Sequence, residues 1–276
     1  PPAAEIIVAD QTESHPAEVE QELARLEKEG RLRRLRLPAP SIPRAMNAGV
    51  LAATGELVLF LDDDIIPDRA LADRHARACA EHPETWAVAG RVVQPELRRN
   101  PVRRGRRTAL TEDLDFDFSG EAPAWVTNLM AGNCSVVRAR FLELGGFDEN
   151  FLPPVSFRFE TEFAKRLVAA GGRIRFAPGA RVRHLRADTG GTRAHGGHLA
   201  SASPLHGVGA YYYFLRRGRG CDRAWQMLRR PFREIRTRFH LLHPWWIPVK
   251  FIGECRALAL AFRLYRAGPR LLEAGR

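Results

Sequence analysis

Along the first third of the chain, short apolar runs alternate with stretches whose apolar positions recur at helical spacing. The run from Ile6 to Ala9, closed by Asp10, predicts a buried strand. In PAEVEQELARLEKEG, Val19, Leu23 and Leu26 share a helix face, and Gly30 supplies a stop. RLRRLRL alternates imperfectly and predicts a strand. SIPRAMNAGVLAATG predicts a helix entered through a proline turn and ended by Gly55. GELVLFLDDDIIPD holds five consecutive apolar residues, Leu57 to Leu61, as a buried strand does. Asp68 stands where it could cap the next helix, RALADRHARACAEH. WAVAGRVV predicts one more strand. This alternation predicts an α/β fold with a mainly parallel, mixed sheet flanked by helices.

From Gln94 to Pro123 the pattern breaks into a basic stretch, RRNPVRRGRR, and an acidic one, TEDLDFDF, which predict a long surface excursion. Regularity returns with GNCSVVRARFLELGGF, a strand followed by a short helix. FETEFAKRLVAAGG predicts a helix with Phe163, Leu167 and Ala170 on one side. RIRFAP and ARVRHLR predict two further short strands, and GGTRAHGGH a flexible loop. Three basic helical segments close the chain. The divisions expected are a catalytic unit over residues 1–200, with a nucleotide half at about 1–93 and an acceptor half at about 124–186, and a basic helical tail over 201–276.

Charge changes the picture of the tail. The net charge is +11, and residues 214–276 hold 15 Lys+Arg against 4 Asp+Glu, which accounts for all of it. A neutral body with a cationic end points to an anionic surface as partner. Trp245, Trp246, Lys250, Arg256, Arg263 and Arg266 mix aromatic and cationic positions, as suits a helix lying in a membrane interface, and equally a helix packed on the body. No nucleic-acid-binding pattern accompanies the charge. No apolar run reaches the ~18 residues of a spanning helix, and the opening PPAAEIIVAD lacks the marks of a signal peptide. The four cysteines are far apart without zinc spacing, so a reduced, cytoplasmic setting at the inner membrane face is expected.

The chemistry concentrates at Asp62, Asp63 and Asp64. Adjacent carboxylates repel, and one would hold its proton unless a partner intervenes. A divalent cation, Mn²⁺ or Mg²⁺, removes the conflict and brings substrate phosphates with it. The alternative is a loop whose acids cap the following helix.

EIIVADQT, SIPRAMNAGVLAATGELVLFLDDD, GNCSVVRARFLELGGFDENF and FETEFAKRLVAAGGRIRFAP resemble, in that order, the segments of family-2 glycosyltransferases with the GT-A fold. The resemblance covers most of residues 5–186. It implies that Asp10 contacts the nucleotide base, that Arg44, Asn47 and Asp63 lie near the nucleotide sugar, and that Asp62 and Asp64 form the D-x-D pair, with Asp62 toward ribose or metal and Asp64 toward the metal. Gly132, Asn133, Gly145, Gly146, Phe147 and Asp148 would belong to the acceptor side. Where the family has an acidic pair whose second member is the base, this chain has Phe159 and Glu160, so Glu160 takes that role, with Glu162 as the fallback. His184 would join the metal, and Arg193 in the glycine loop would contact phosphate. The family's usual opening strand lies ahead of the matched residues, so the sheet is expected to show an unpaired edge or a gap. The activity implied is inverting, metal-dependent transfer from a nucleotide sugar, a UDP-sugar above all, to a glycan or lipid-linked acceptor. A sugar nucleotidyltransferase and a non-catalytic membrane-binding module are the alternatives.

Overall fold

The computed structural model describes residues 3–94, 117–185 and 197–273. Two sheets organise it. The smaller pairs β1 (Ile7–Asp10) in parallel with β2 (Arg33–Arg36), joined by α1 (Ala17–Lys28). α2 (Ile42–Ala52) packs on β1 and leads into β3 (Leu57–Leu61), the edge of the larger sheet. That sheet runs β3, β7 (Asn133–Val137), β5 (Thr85–Val93), β8 (Arg173–His184), β4 (Ile65–Pro67), and β6 (Ala124–Val126) also pairs with β8. Among the described residues β1 pairs with β2 and β3 with β7, and the two sheets share no strand pairing. Glu5 bridges them. Its carboxylate accepts from the Thr54 amide at 2.6 Å, the Thr54 hydroxyl at 2.8 Å and the Gly55 amide at 3.2 Å.

The larger sheet is more antiparallel than the strand–helix alternation implies. β5 and β8 are parallel, but β3 with β7, β5 with β7, β4 with β8 and β6 with β8 are antiparallel. β7 runs against both β3 and β5, and the short β4 and β6 run against β8; β4, missed by periodicity, turns back onto the end of β8. The two strands expected from RIRFAP and ARVRHLR are one strand, β8, with an irregularity. Its register against β5 jumps between Gly90↔Ala177 and Arg91↔Arg181, so Pro178 and Gly179 mark a bulge and not a turn. Asp68 does not cap α3 (Leu71–Ala80), which has no side-chain cap; its carboxylate instead binds Arg74 and Arg181, each at 3.1 Å.

The core sits under α4 (Arg138–Glu143) and α5 (Phe159–Ala169), where Phe60, Phe141, Phe147 and Phe163 stack with ring centroids 4.9–5.9 Å apart. The tail is not a free appendage. In α6 (Val208–Arg217) eight consecutive residues, Val208 to Leu215, are buried in that same core. α7 (Gly220–Ile235), α8 (Arg238–Leu242) and the long α9 (Trp246–Ala267) follow, with α9 lying on α6 and α7. No described helix is long and apolar enough to cross a membrane.

Two polar groups fasten the turn after α4. Asn47 of α2, 1% exposed, donates to the Phe147 carbonyl at 2.9 Å and accepts from the Phe147 amide at 2.8 Å. Gly146 beside it has φ +64°, and an added Cβ would lie 2.7 Å from the Asn47 side-chain oxygen, so glycine is required there. Asp148, fully buried, accepts from the Tyr212 hydroxyl at 2.7 Å and from the amides of Asn150 and Arg270, both at 3.0 Å. It ties the turn to α6 and to the chain after α9. Asp148→Ala leaves those three donors without their acceptor, and the expected loss of stability is about 3 kcal/mol. Urea denaturation measures it; an unchanged midpoint would remove Asp148 from this role.

Candidate active site

The acidic turn and His184 meet because two strand ends are stitched together. β3 stops at Leu61, and the chain reverses through Asp62–Asp64 into β4, where Ile65 lies opposite His184 of β8. The Leu185 amide donates to the Asp64 carbonyl at 2.7 Å and fixes the register. One ligand atom each from Asp62, Asp64 and His184 then lies within 4.8 Å of the others. His184 Nε2 is 3.3 Å from Asp64 Oδ1 and 3.6 Å from Asp62 Oδ2. The protein packed around Asp62 raises its pKa above the ordinary value; His184 opposes the rise, while Asp64 and Asp63 add to it. Two carboxylates and an imidazole at this spacing fit a divalent cation, which would relieve that repulsion. Asp63 is exposed on the same turn.

Gly132 lets the neighbouring segment approach. Its carbonyl accepts from the Asp62 amide at 3.4 Å, and an added Cβ would fall 2.1 Å from Asp62 Oδ2. Asn133 holds this segment from below. Its amide donates to the carbonyls of Arg91 at 3.0 Å and Ala180 at 2.9 Å, and its oxygen accepts from His75 Nε2 at 2.9 Å. His75 Nδ1 in turn accepts from the Ser135 hydroxyl at 2.9 Å. Burial lowers the His75 pKa to about 4, so the ring is neutral and supports this arrangement at neutral pH.

A cavity of about 240 Å³ adjoins the cluster. Asp62, Gly132 and His184 line it from the sheet, and Ser156, Phe157, Arg158, Phe159 and Glu160 from the start of α5. Burial pushes the Glu160 carboxyl up to about 7; its own backbone amide and Arg158 pull it down, and Asp62 adds to the rise. Glu160 is thus poised to exchange a proton near neutrality. Arg158, with φ 75°, holds its guanidinium over the Tyr213 ring at 5.0 Å and the Phe157 ring at 5.3 Å. It is a buried cation in the cavity wall that sequence analysis passed over; its signal was a basic residue two places before the acid in SFRFE.

Other expected site residues lie elsewhere. Asp10, at the end of β1, is held by the Thr12 amide at 2.9 Å, Arg34 at 2.7 Å and His15 at 3.0 Å. Burial raises its pKa, but these donors outweigh that and hold it at about 2. Arg44 lies 3.6 Å from Glu149. Asn47, Gly146 and Asp148 build the turn described above and do not line the cavity. Glu162, the fallback base, is fully buried and paired with Arg166 at 2.9 Å and with Arg217, so its carboxylate is committed to the core. Arg193 lies outside the described residues.

A family profile for glycosyl transferase family 2 matches residues 1–143, just over half of the chain. The chain belongs to that family. Among curated proteins it resembles the pre-mycofactocin glycosyltransferase of Mycobacterium tuberculosis, with 30% identity over 142 residues; the match covers 51% of this chain but only 29% of that protein. Among solved structures it resembles S. aureus TarS 1-349 in complex with UDP-GlcNAc (TM-score 0.55, 17% identity, 93% of this chain and 74% of that one). It also resembles GalNAc-T7 with UDP, GalNAc and Mn²⁺ (TM-score 0.53, 13% identity, 86% and 51%). A third is the mannosyltransferase PcManGT of Pyrobaculum calidifontis with GDP-Man and Mn²⁺ (TM-score 0.51, 19% identity, 96% and 70%). These likenesses establish the GT-A fold, and the chain spans less than a third of the length of the curated relatives it matches.

The raised Glu160 pKa carries a stability cost with a defined sign. Between the ordinary carboxyl value of 4.5 and about 7 the folded chain binds more protons than the unfolded one, so stability falls as pH rises through that window. Glu160→Gln removes the effect. Denaturation at pH 5 and pH 8 should show the variant gaining on the wild type by about 1–3 kcal/mol at the higher pH. A constant difference would mean that Glu160 titrates normally.

Proposed function

We propose that the chain transfers a sugar from a nucleotide sugar, a UDP-sugar first among candidates, to an acceptor hydroxyl with inversion at the anomeric carbon. The observation that carries this is the shared cavity: Asp62 and His184 of the acid–imidazole cluster and the Glu160 carboxyl, shifted to about 7, line one 240 Å³ space. Asp62, Asp64 and His184 would hold the cation. The imidazole, softer than an oxygen ligand, favours Mn²⁺ over Mg²⁺. When bound, the cation supplies Lewis-acid neutralisation of the departing diphosphate. Glu160 accepts the acceptor's hydroxyl proton as that oxygen bonds to the anomeric carbon and the bond from that carbon to the diphosphate oxygen breaks. Arg158 adds positive charge to the wall and opposes the rise in the Glu160 pKa. The acceptor is a glycan or a lipid-linked glycan intermediate. A reduced, cytoplasmic setting is supported by four free cysteines.

A donor screen tests this. UDP-, GDP- and dTDP-sugars are compared by thermal shift with and without Mn²⁺. One donor should raise the melting temperature in a Mn²⁺-dependent way, and Asp64→Ala should abolish that shift. Turnover should release the nucleoside diphosphate; release of pyrophosphate would indicate nucleotidyl transfer instead. Glu160→Gln should keep the donor shift but lose about 10²- to 10⁴-fold in turnover. The wild-type kcat/KM should fall with pH below about 7, because the base must be ionised. A Glu160→Gln enzyme with full turnover would assign the base elsewhere.

A further inference from the structure

We propose that α7, α8 and α9 form a docking face for an anionic lipid bilayer. α7 is amphipathic in the reverse sense to a helix that covers a core. Its buried residues are Gln226 and Arg230, whereas Trp225, Leu228 and Phe232 are 60%, 68% and 58% exposed. They stand at i, i+3 and i+7 and share one face. A polar interior is possible there because charges pair across the helices. Arg230 Nε donates to Glu254 at 3.0 Å, and Lys250 Nζ lies 3.0 Å from Glu254, all three side chains being buried. Lys250, expected at a membrane-facing position, is therefore an inward residue of α9. The apolar side is left outward, where water is an unfavourable neighbour.

The face is continuous across elements. The Phe232 ring lies 6.3 Å from Phe251 of α9. On α8 and the turn after it, Leu241, Leu242 and Trp245 are 80%, 62% and 63% exposed. Charge decides which apolar partner fits. Arg229, Arg236, Arg238, Arg263 and Arg266 are exposed, while Asp222 and Glu234 are half-buried and Glu254 is buried. Aromatic and aliphatic side chains at headgroup depth, interleaved with guanidinium groups on lipid phosphates, suit a helix layer lying in the plane of the membrane. No described helix is long and apolar enough to span a membrane.

Cosedimentation of the full chain with vesicles tests the proposal without donor or acceptor, so it stands apart from the transfer chemistry. The chain should bind vesicles of phosphatidylcholine mixed with phosphatidylglycerol, bind phosphatidylcholine alone weakly, and release at high salt. Leu228→Glu with Phe232→Glu should weaken binding about tenfold or more. Arg229→Glu with Arg236→Glu should do the same. All four side chains are exposed, so the melting temperature should hold in both variants. Failure of the wild type to bind the anionic vesicles overturns the proposal, as does binding that survives both double substitutions. A concentration-dependent dimer, lost in the Leu228/Phe232 variant and without vesicle binding, would assign the face to a second copy and overturn it as well.

Discussion

The convergence of carboxylates at the end of β3 is the constraint on which the rest of this molecule turns. Asp62, Asp63 and Asp64 are consecutive, and desolvation at Asp62, with the charges of Asp64 and Asp63 adding to it, raises the Asp62 pKa. The fold tolerates this because β4 anchors the turn to the last residues of β8 and so delivers His184 to the same point. Gly132 removes the one side chain that would displace Asp62, and the Asn133–His75–Ser135 network fixes Gly132 from behind. A site with this cost is one that a ligand relieves, and a dication with its diphosphate relieves it in the required sense.

Several acids elsewhere among the described residues are paired with arginine. Asp10 and Glu20 share Arg34, Glu162 takes Arg166 and Arg217, and Glu254 takes Arg230. Apart from Glu162–Arg166, which lies within α5, each of these pairs holds one element to another. The contrast separates structural acids from the site. Glu160 is half-buried, with its pKa raised to about 7, so its proton is exchangeable near neutrality, whereas Glu162, two residues on, is ion-paired with Arg166 and Arg217.

Much of this was legible in the sequence, for physical reasons that vary by element. The run Leu57–Leu61 matches β3 residue for residue because five apolar residues ended by charge admit few other structures. Order and spacing of the motifs identified the family and the acidic cluster. β4 was not legible: its three residues, Ile65–Pro67, make a pattern too short to register and exist as a strand only through pairing with β8. Asp68, read as a cap, serves Arg74 and Arg181, since an acid before a helix can bind side chains as readily as amides. Asn47 and Asp148 were expected at the substrate, but their polar atoms hold the Phe147 turn and α6. Family motifs mark positions under constraint without saying whether the constraint is folding or chemistry. The tail shows a further limit: amphipathicity alone does not say which face points inward, and in α7 it is the polar one.

Calorimetric titration of UDP into the chain, once with excess Mn²⁺ and once with a chelator, tests the central claim most directly. If the cluster of Asp62, Asp64 and His184 exists to carry a cation onto the diphosphate, affinity must collapse when the metal is withheld. Equal affinities in the two buffers would contradict the account.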